Sequence, residues 1–318
     1  MRPPEACATR RAFLYLGGVT ALAQDTTFRT TVPLVVVPVT VMDAKGKLID
    51  GLESQHFLLL DNGQPCRFDT EEAIPPIALI VAVQTGGESA AALTKIRRIG
   101  SMIEPLLTGR RGLAAVVSYG EQVRVVQRFT SSPDLLKKAV AGIRSEGASW
   151  RLLDTVTEAI RLFDRAPSSH RRVLLMIGER RDLGSESSLD QTLTAAQRQN
   201  IAVYALTYSP FLSKFAVKQH EVAPAHGMNL LTLFTHLGQQ AKANAMEVFT
   251  NSTGGRYLSF LKQDALERAV AAIGEELHGQ YLLSFSPTGE ATDRYHALTV
   301  RVNSRPDAVV RARPGYWL

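Results

Sequence analysis

Cysteine is nearly absent from this chain, with Cys7 and Cys66 the only two in 318 residues. Cys7 lies in the extreme N-terminal stretch, and the remaining thiol has no internal partner. A disulfide-stapled scaffold is therefore excluded. No apolar run is long enough to cross a bilayer as a helix. Lys and Arg give a net charge of +6, but they are scattered and form no stripe, so nucleic-acid binding is not expected. Catalytic signatures are missing as well. Gly147-Ala148-Ser149-Trp150-Arg151 lacks the closing glycine of a nucleophile elbow. Thr253-Gly254-Gly255-Arg256 precedes a strand, where a nucleotide-binding turn would follow one. His220-Glu221 opens like a zinc-protease helix, but the second histidine would have to stand at Pro224.

What is present is an ordinary globular composition, 45% hydrophobic, in a chain long enough to bury a sizeable core. The organising stretch is Ile74–Ser89. Two prolines precede an eight-residue apolar run, Ile77–Gln84, which breaks on Gly86-Gly87. That pattern predicts a strand buried on both faces, a tight turn, and a helix over Ser89–Leu107. In open α/β sheets such a turn faces the binding crevice.

The N-terminus reads as an address. Thr9-Arg10-Arg11-Ala12-Phe13-Leu14 fits the twin-arginine export pattern, and Ala21-Leu22-Ala23 supplies a small-x-small cleavage site. Residues 1–23 are thus expected to be a signal peptide, and the mature chain to be periplasmic or extracellular.

Residues 24–73 are rich in β-branched side chains and lack helical periodicity. Prolines in Phe28–Val41 point to an edge or a bulge. Asp61-Asn62-Gly63 marks a hairpin, with Arg67–Thr70 the expected partner of Phe57–Leu60. From residue 74 to 278 strands and helices alternate, which predicts right-handed crossovers and a mostly parallel sheet. Ala114–Tyr119 and Val123–Phe129 flank Gly120-Glu121 as a hairpin, and Val173–Ile177 and Ile201–Leu206 are further strands. Helices are expected after Ser132-Pro133, along Leu152–Phe163, over Leu189–Gln199 and over Gln263–Leu277. Residues 209–241 interrupt this rhythm with prolines and with His220, His226 and His236, and are expected to be an insertion. Residues 279–318 return to β alternation, so the two ends should pair as a smaller β unit.

An ordered set of segments resembles the von Willebrand factor A-related proteins of the Acidobacteria type. It comprises Val39-Thr40-Val41-Met42-Asp43-Ala44-Lys45-Gly46, Gly51-Leu52, Phe57, Asp61-Asn62-Gly63, Gln280 through Pro287, and Arg313-Pro314-Gly315-Tyr316. The resemblance implies a doubly wound α/β sheet and a metal-ion-dependent adhesion site. Three loops would supply Asp-x-Ser-x-Ser, a Thr and an Asp around a hard cation, which needs oxygen ligands.

This sequence departs from that pattern in all three loops. Gln84, Gly86 and Glu88 stand where the Asp and two Ser belong, Trp150 follows Ser149 at the Thr place, and Glu179 replaces the last Asp beside Arg180 and Arg181. The expectation is a non-catalytic, protein-binding module without a resident cofactor. Its binding face would comprise Gln84, Thr85, Gly86, Glu88, Ser149, Trp150, Glu179, Arg180 and Asp182, with Trp150 either an interface anchor or core. A residual Mg2+ or Mn2+ would rest on Glu88, Ser149 and Glu179, making adhesion metal-dependent. A hydrolase using the histidine-rich insertion is the alternative of another class.

Overall fold

The computed structural model describes residues 34–71, 74–87, 89–208, 244–287 and 294–317. The expected signal peptide, Glu88 and the expected insertion with His220, His226 and His236 lie outside the described residues.

In chain order the strands and helices begin with β1 (Val35–Met42), β2 (Phe57–Asp61), β3 (Gln64–Pro65) and β4 (Asp69–Thr70). Then come β5 (Ile77–Gln84), α1 (Ala90–Ile96), β6 (Leu113–Tyr119), β7 (Val123–Thr130), α2 (Pro133–Gly142) and α3 (Leu152–Phe163). They are followed by β8 (Arg171–Gly178), α4 (Leu189–Arg198), β9 (Ala202–Thr207), α5 (Ala245–Thr253), β10 (Tyr257–Ser259) and α6 (Gln263–Gly279). The chain closes with β11 (Tyr281–Phe285), β12 (Tyr295–Val302), β13 (Val309–Arg311) and β14 (Gly315–Trp317).

The central sheet has the order β10-β9-β8-β5-β6-β7. All its pairings are parallel except that of β7 with β6. Every residue of β5 is buried, because its neighbours β8 and β6 flank it and helices cover both faces. On one face Ile77, Leu79, Val81 and Val83 pack with α1, α2 and α6; on the other Ala78, Ile80 and Ala82 pack with α3, α4 and α5. Burying each large aliphatic side chain contributes about 1.5–3 kcal/mol. The doubly wound arrangement expected from the alternating pattern is the one found.

The ends pair as the β-rich segments predict. One sheet runs β13-β1-β11-β4 and a second runs β14-β12-β2-β3, all antiparallel. Val37, Val39, Phe57, Leu59, Leu283, Phe285 and Tyr316 form the core between them.

Three sequence expectations are corrected. The partner of β2 is Gln64–Pro65, since Asn62 and Gly63 have φ of 50° and 81° and close a two-residue turn at once. Asp69–Thr70 joins β11 in the other sheet. The helix expected over Ser89–Leu107 is broken into α1, a 3-10 segment Arg97–Ser101 and a wide π-type segment Ile103–Thr108. Gly100 lets this region approach the Lys137 backbone of α2 closely, and Pro105 removes a donor inside the last segment. Finally, β1 is an interior strand. Its Pro38 lies where only β11 pairs, before β13 joins at Thr40, so no ladder bond is lost.

Arg313, from the closing motif, is buried and seats the C-terminal segment. It donates from Nε to the Gly315 carbonyl at 2.9 Å, and through its other nitrogens to Gln197 O at 3.1 Å and Asn200 Oδ1 at 3.0 Å. The Gln197 carbonyl lies in the last turn of α4, where a cation is favoured. Burial lowers this guanidinium to about 10, so it remains charged at neutral pH.

Candidate functional site

The carboxyl ends of β5, β6 and β8 bring three loops together: 85–89, 144–151 and 179–187. Together with Gln84 at the end of β5, they carry the described residues expected on the binding face.

Gln84 ends β5 and is fully buried. Its amide does two jobs. Nε2 donates to the Gly86 carbonyl at 3.0 Å, and Oε1 accepts the backbone N–H of Glu179 at 2.6 Å. A carboxylate in this place could accept from Glu179 but could not donate to Gly86. The amide therefore ties the first loop to the third, its NH2 group and its carbonyl oxygen each already holding a partner. Gly178 has no side chain because a Cβ there would run into the Gln84 side chain and the Tyr119 hydroxyl.

Gly86 lies against the backbone carbonyl of Ser149, and a Cβ on Gly86 would collide with it. The space a ligating hydroxyl would need is thus filled by another loop's main chain. Gly87 has φ of +65° and a Cβ there would meet the Trp150 ring at 2.7 Å. Trp150 is 3% exposed and belongs to the core on one face of the sheet. Its Nε1 donates to the Arg181 carbonyl at 2.8 Å, and it exchanges backbone hydrogen bonds with Leu183. The Arg181 guanidinium stands 5.5 Å from the centre of the Trp150 ring. Of the two roles left open for Trp150, packing is the one seen.

Thr85 is buried. Its carbonyl accepts from Glu146 N at 2.9 Å, Ser89 Oγ at 2.7 Å and Ser145 Oγ at 3.2 Å. Asp182 is committed elsewhere: its Oδ1 accepts from Leu152 N at 2.9 Å, Leu153 N at 3.3 Å and the hydroxyl of Ser185. Ser185 Oγ also accepts from Leu153 N at 3.0 Å. Together they cap the otherwise unpaired N–H groups that open α3. Nothing at Arg151, which precedes that helix, signals a cap. The capping side chains come from about thirty residues away, a distance at which local sequence patterns give no warning.

The lock is reciprocal. Asp154, in the first turn of α3, accepts from Ser187 N at 2.8 Å and Glu186 N at 3.2 Å, and Arg151 bridges Asp154 and Glu186 at 3.4 and 3.0 Å. Burial acts to raise the Asp154 carboxyl, but the hydrogen bonds from Ser187 and Glu186 and the charge of Arg151 outweigh it and hold the group below its ordinary value. A depressed folded-state value means that the stability it contributes is complete above the ordinary carboxyl range and is lost as pH falls through the folded value. The melting-temperature gap between the parent chain and Asp154→Asn should therefore be largest near neutrality and shrink as pH falls from about 5 to about 2. A gap constant over that range would contradict the assignment.

Beneath Glu179 lie two buried phenols. Burial raises both Tyr119 and Tyr208 above the usual tyrosine value, followed for Tyr119 by Tyr208 and then Glu179, and for Tyr208 by the charge of Glu179. Both stay neutral, and Tyr119 donates to the Ile177 carbonyl at 3.4 Å.

These observations bear on a divalent ion. The amide of Gln84 is held by two partners, the Gly86 position has no room for a hydroxyl, Trp150 covers Gly87, and Asp182 caps a helix. The Thr85 hydroxyl is buried without a hydrogen-bond partner, but with the other positions taken the described residues fall short of the several free oxygens converging on one point that an octahedral site requires. Among the described residues no group of three or more His, Cys, Asp or Glu is placed to hold a metal ion, and no helix is long and apolar enough to cross a membrane.

No family model matches the chain, and no curated protein matches it. Among solved structures the chain is similar to a von Willebrand factor type A protein from Catenulispora acidiphila, at 12% identity, with 79% of this chain and 52% of that one covered and a TM-score of 0.47. The match thus spans about half the length of that protein. It is also similar to a conserved hypothetical protein, BatB, from Bacteroides thetaiotaomicron, at 13% identity, 63% and 98% coverage and a TM-score of 0.44. An aerotolerance-related membrane protein from Bacteroides fragilis gives 13% identity, 63% and 98% coverage and a TM-score of 0.43. The strand order, the helices on both faces and the loops gathered at the carboxyl strand ends are those of the doubly wound α/β sheet that the sequence resemblance implies.

Proposed function

We propose that this protein is an exported, non-catalytic protein-binding module that engages its partner without a bridging cation. The observation that carries the reading is the Gln84 amide, bonded at once to Gly86 O and Glu179 N. It closes by direct hydrogen bonds the gap between loops that a cation would otherwise span. Gln84, Thr85 and Trp150 are buried and serve as scaffold for the face. The surface offered to a partner is the 180–187 loop, where Arg180, Arg181, Leu183 and Glu186 are exposed. That loop is braced by α3 through Asp182 and Ser185, so it is pre-organised, which lowers the entropic cost of binding. The twin-arginine pattern supports the exported location.

Thermal melting with added Mg2+ or Mn2+ tests the metal-independent part. A site filled at a hundred times its dissociation constant would add about 2.7 kcal/mol, several degrees for a chain of this size. The expected shift is below about one degree. A saturable rise of several degrees, abolished by chelator, would overturn the reading. Fractionation of producing cells, with N-terminal sequencing of the exported product, is expected to give a mature chain beginning at Gln24. A cytoplasmic chain retaining Met1 would contradict export.

A further inference from the structure

The outer face of α4 and the last strand frame a groove of about 520 Å3, lined by Asp190, Gln191, Thr194, Arg198, Gln199 and Trp317. It shares no residue with the three loops at the carboxyl strand ends. Residues 191, 194 and 198 recur at helical spacing on one side of α4, while Leu189, Leu193 and Ala196 turn into the core. Strand β14 runs beside this helix and sets Trp317 along the groove. The indole is only half-buried and is braced edge-on by Tyr295, its cross-strand partner, at 5.5 Å and 61°.

We propose that this groove binds a neutral oligosaccharide. A sugar ring offers an apolar C–H face and a rim of hydroxyls, and needs a flat aromatic surface with donors and acceptors around it. Trp317 supplies the surface, and its contact with Tyr295 fixes the ring before any ligand arrives. Asp190, Gln191 and Thr194 supply a carboxylate, an amide and a hydroxyl. Among the described residues these three side chains form no hydrogen bond or ion pair, so their capacity is unspent. Gln199 accepts from Arg172 at 2.8 Å through its Oε1, which fixes its amide and leaves the NH2 group to donate. Other ligand classes fit less well. One indole is the only large apolar surface in the groove, too little for a lipid or an apolar ligand. Asp190 and Arg198 line the groove with opposite charges, so the groove favours no net charge on its ligand.

The test is calorimetric titration of the full chain with cellohexaose, maltohexaose and chitohexaose, followed in parallel by tryptophan fluorescence. The chain has two tryptophans, and Trp150 is buried in the core, so an emission change reports Trp317. At least one of the three sugars is expected to bind and shift the emission. Affinity should fall at least about tenfold, about 1.4 kcal/mol, in Trp317→Ala. It should fall several-fold in the double variant Gln191→Ala/Thr194→Ala, which changes only the outer helix face and keeps the fold. Absence of binding by all three sugars at millimolar concentration overturns the proposal. So does binding that the double variant leaves unchanged, which also decides the matter should Trp317→Ala fail to fold.

Discussion

Replacing Glu276 with alanine is expected to lower the unfolding free energy by about 3–5 kcal/mol, the loss typical when one partner of a buried ion pair is removed. Glu276 is 2% exposed, on α6. It pairs with Arg256 at 3.7 Å and with Arg311, and accepts the Tyr204 hydroxyl at 3.0 Å. Tyr204 in turn accepts from Gln280 Nε2 at 3.1 Å, and the same amide donates to Thr40 at 3.0 Å. Arg171 closes the network, donating to Gln280 Oε1 at 2.6 Å and to the Leu277 carbonyl at 2.8 Å. Burial, then the Glu276 charge, raises the Tyr204 phenol well above its ordinary value, so it stays a neutral donor.

This network joins α6 and β9 of the central sheet region to β1 and β13 of the β unit. Alanine would leave Arg311 beside a vacated carboxylate site. The isosteric Glu276→Gln keeps an acceptor for Tyr204 and should cost less, about 2 kcal/mol. Denaturant unfolding of the two variants measures both. A loss below about 1 kcal/mol for the alanine variant would mean that water replaces the carboxylate and that the network does not hold the two parts together.

Gly86→Ser restores a hydroxyl where the adhesion-site pattern has one, and is expected to cost at least about 2 kcal/mol without creating a metal site. The new Cβ would press on the Ser149 carbonyl, which is main chain and has no rotamer to move aside. Gly142→Ala is the control, since a Cβ there meets nothing within 4 Å. It ends α2 outside the left-handed region and should be neutral or slightly stabilising through the unfolded state. Equal stability of the serine variant and the parent chain would contradict the close approach of the two loops.

Much of this architecture is legible in the sequence because its signals are local. Ile77–Gln84 has no polar residue before its last position, and only a strand buried on both faces suits it. Ser132-Pro133 and Ser188 open helices whose caps they provide themselves. The hairpin register differs because Asn62 and Gly63 alone turn the chain, where pairing with Arg67–Thr70 would leave six residues, 61–66, in the loop.

The candidate site is harder to read because its contacts are long-range. Substitution of Asp by Gln is plain at residue 84, but the use of that amide appears only when β8 delivers the Glu179 N–H beside it. Asp182, which the sequence places on the binding face, is claimed by the start of α3. That the β-rich ends pair is legible in the sequence, but which side chains meet is not: Asp61 and Tyr316 join through a 2.7 Å hydrogen bond, and Thr40 meets Gln280.

The most direct measurement is anomalous diffraction at the manganese edge from crystals of the full chain grown with Mn2+. The account predicts no anomalous peak among Gln84, Ser149 and Glu179, with the Gln84 amide still bonded to Gly86 O and Glu179 N. A peak at oxygen-ligand distance from Glu179, with Gln84 rotated away from its two partners, would contradict it.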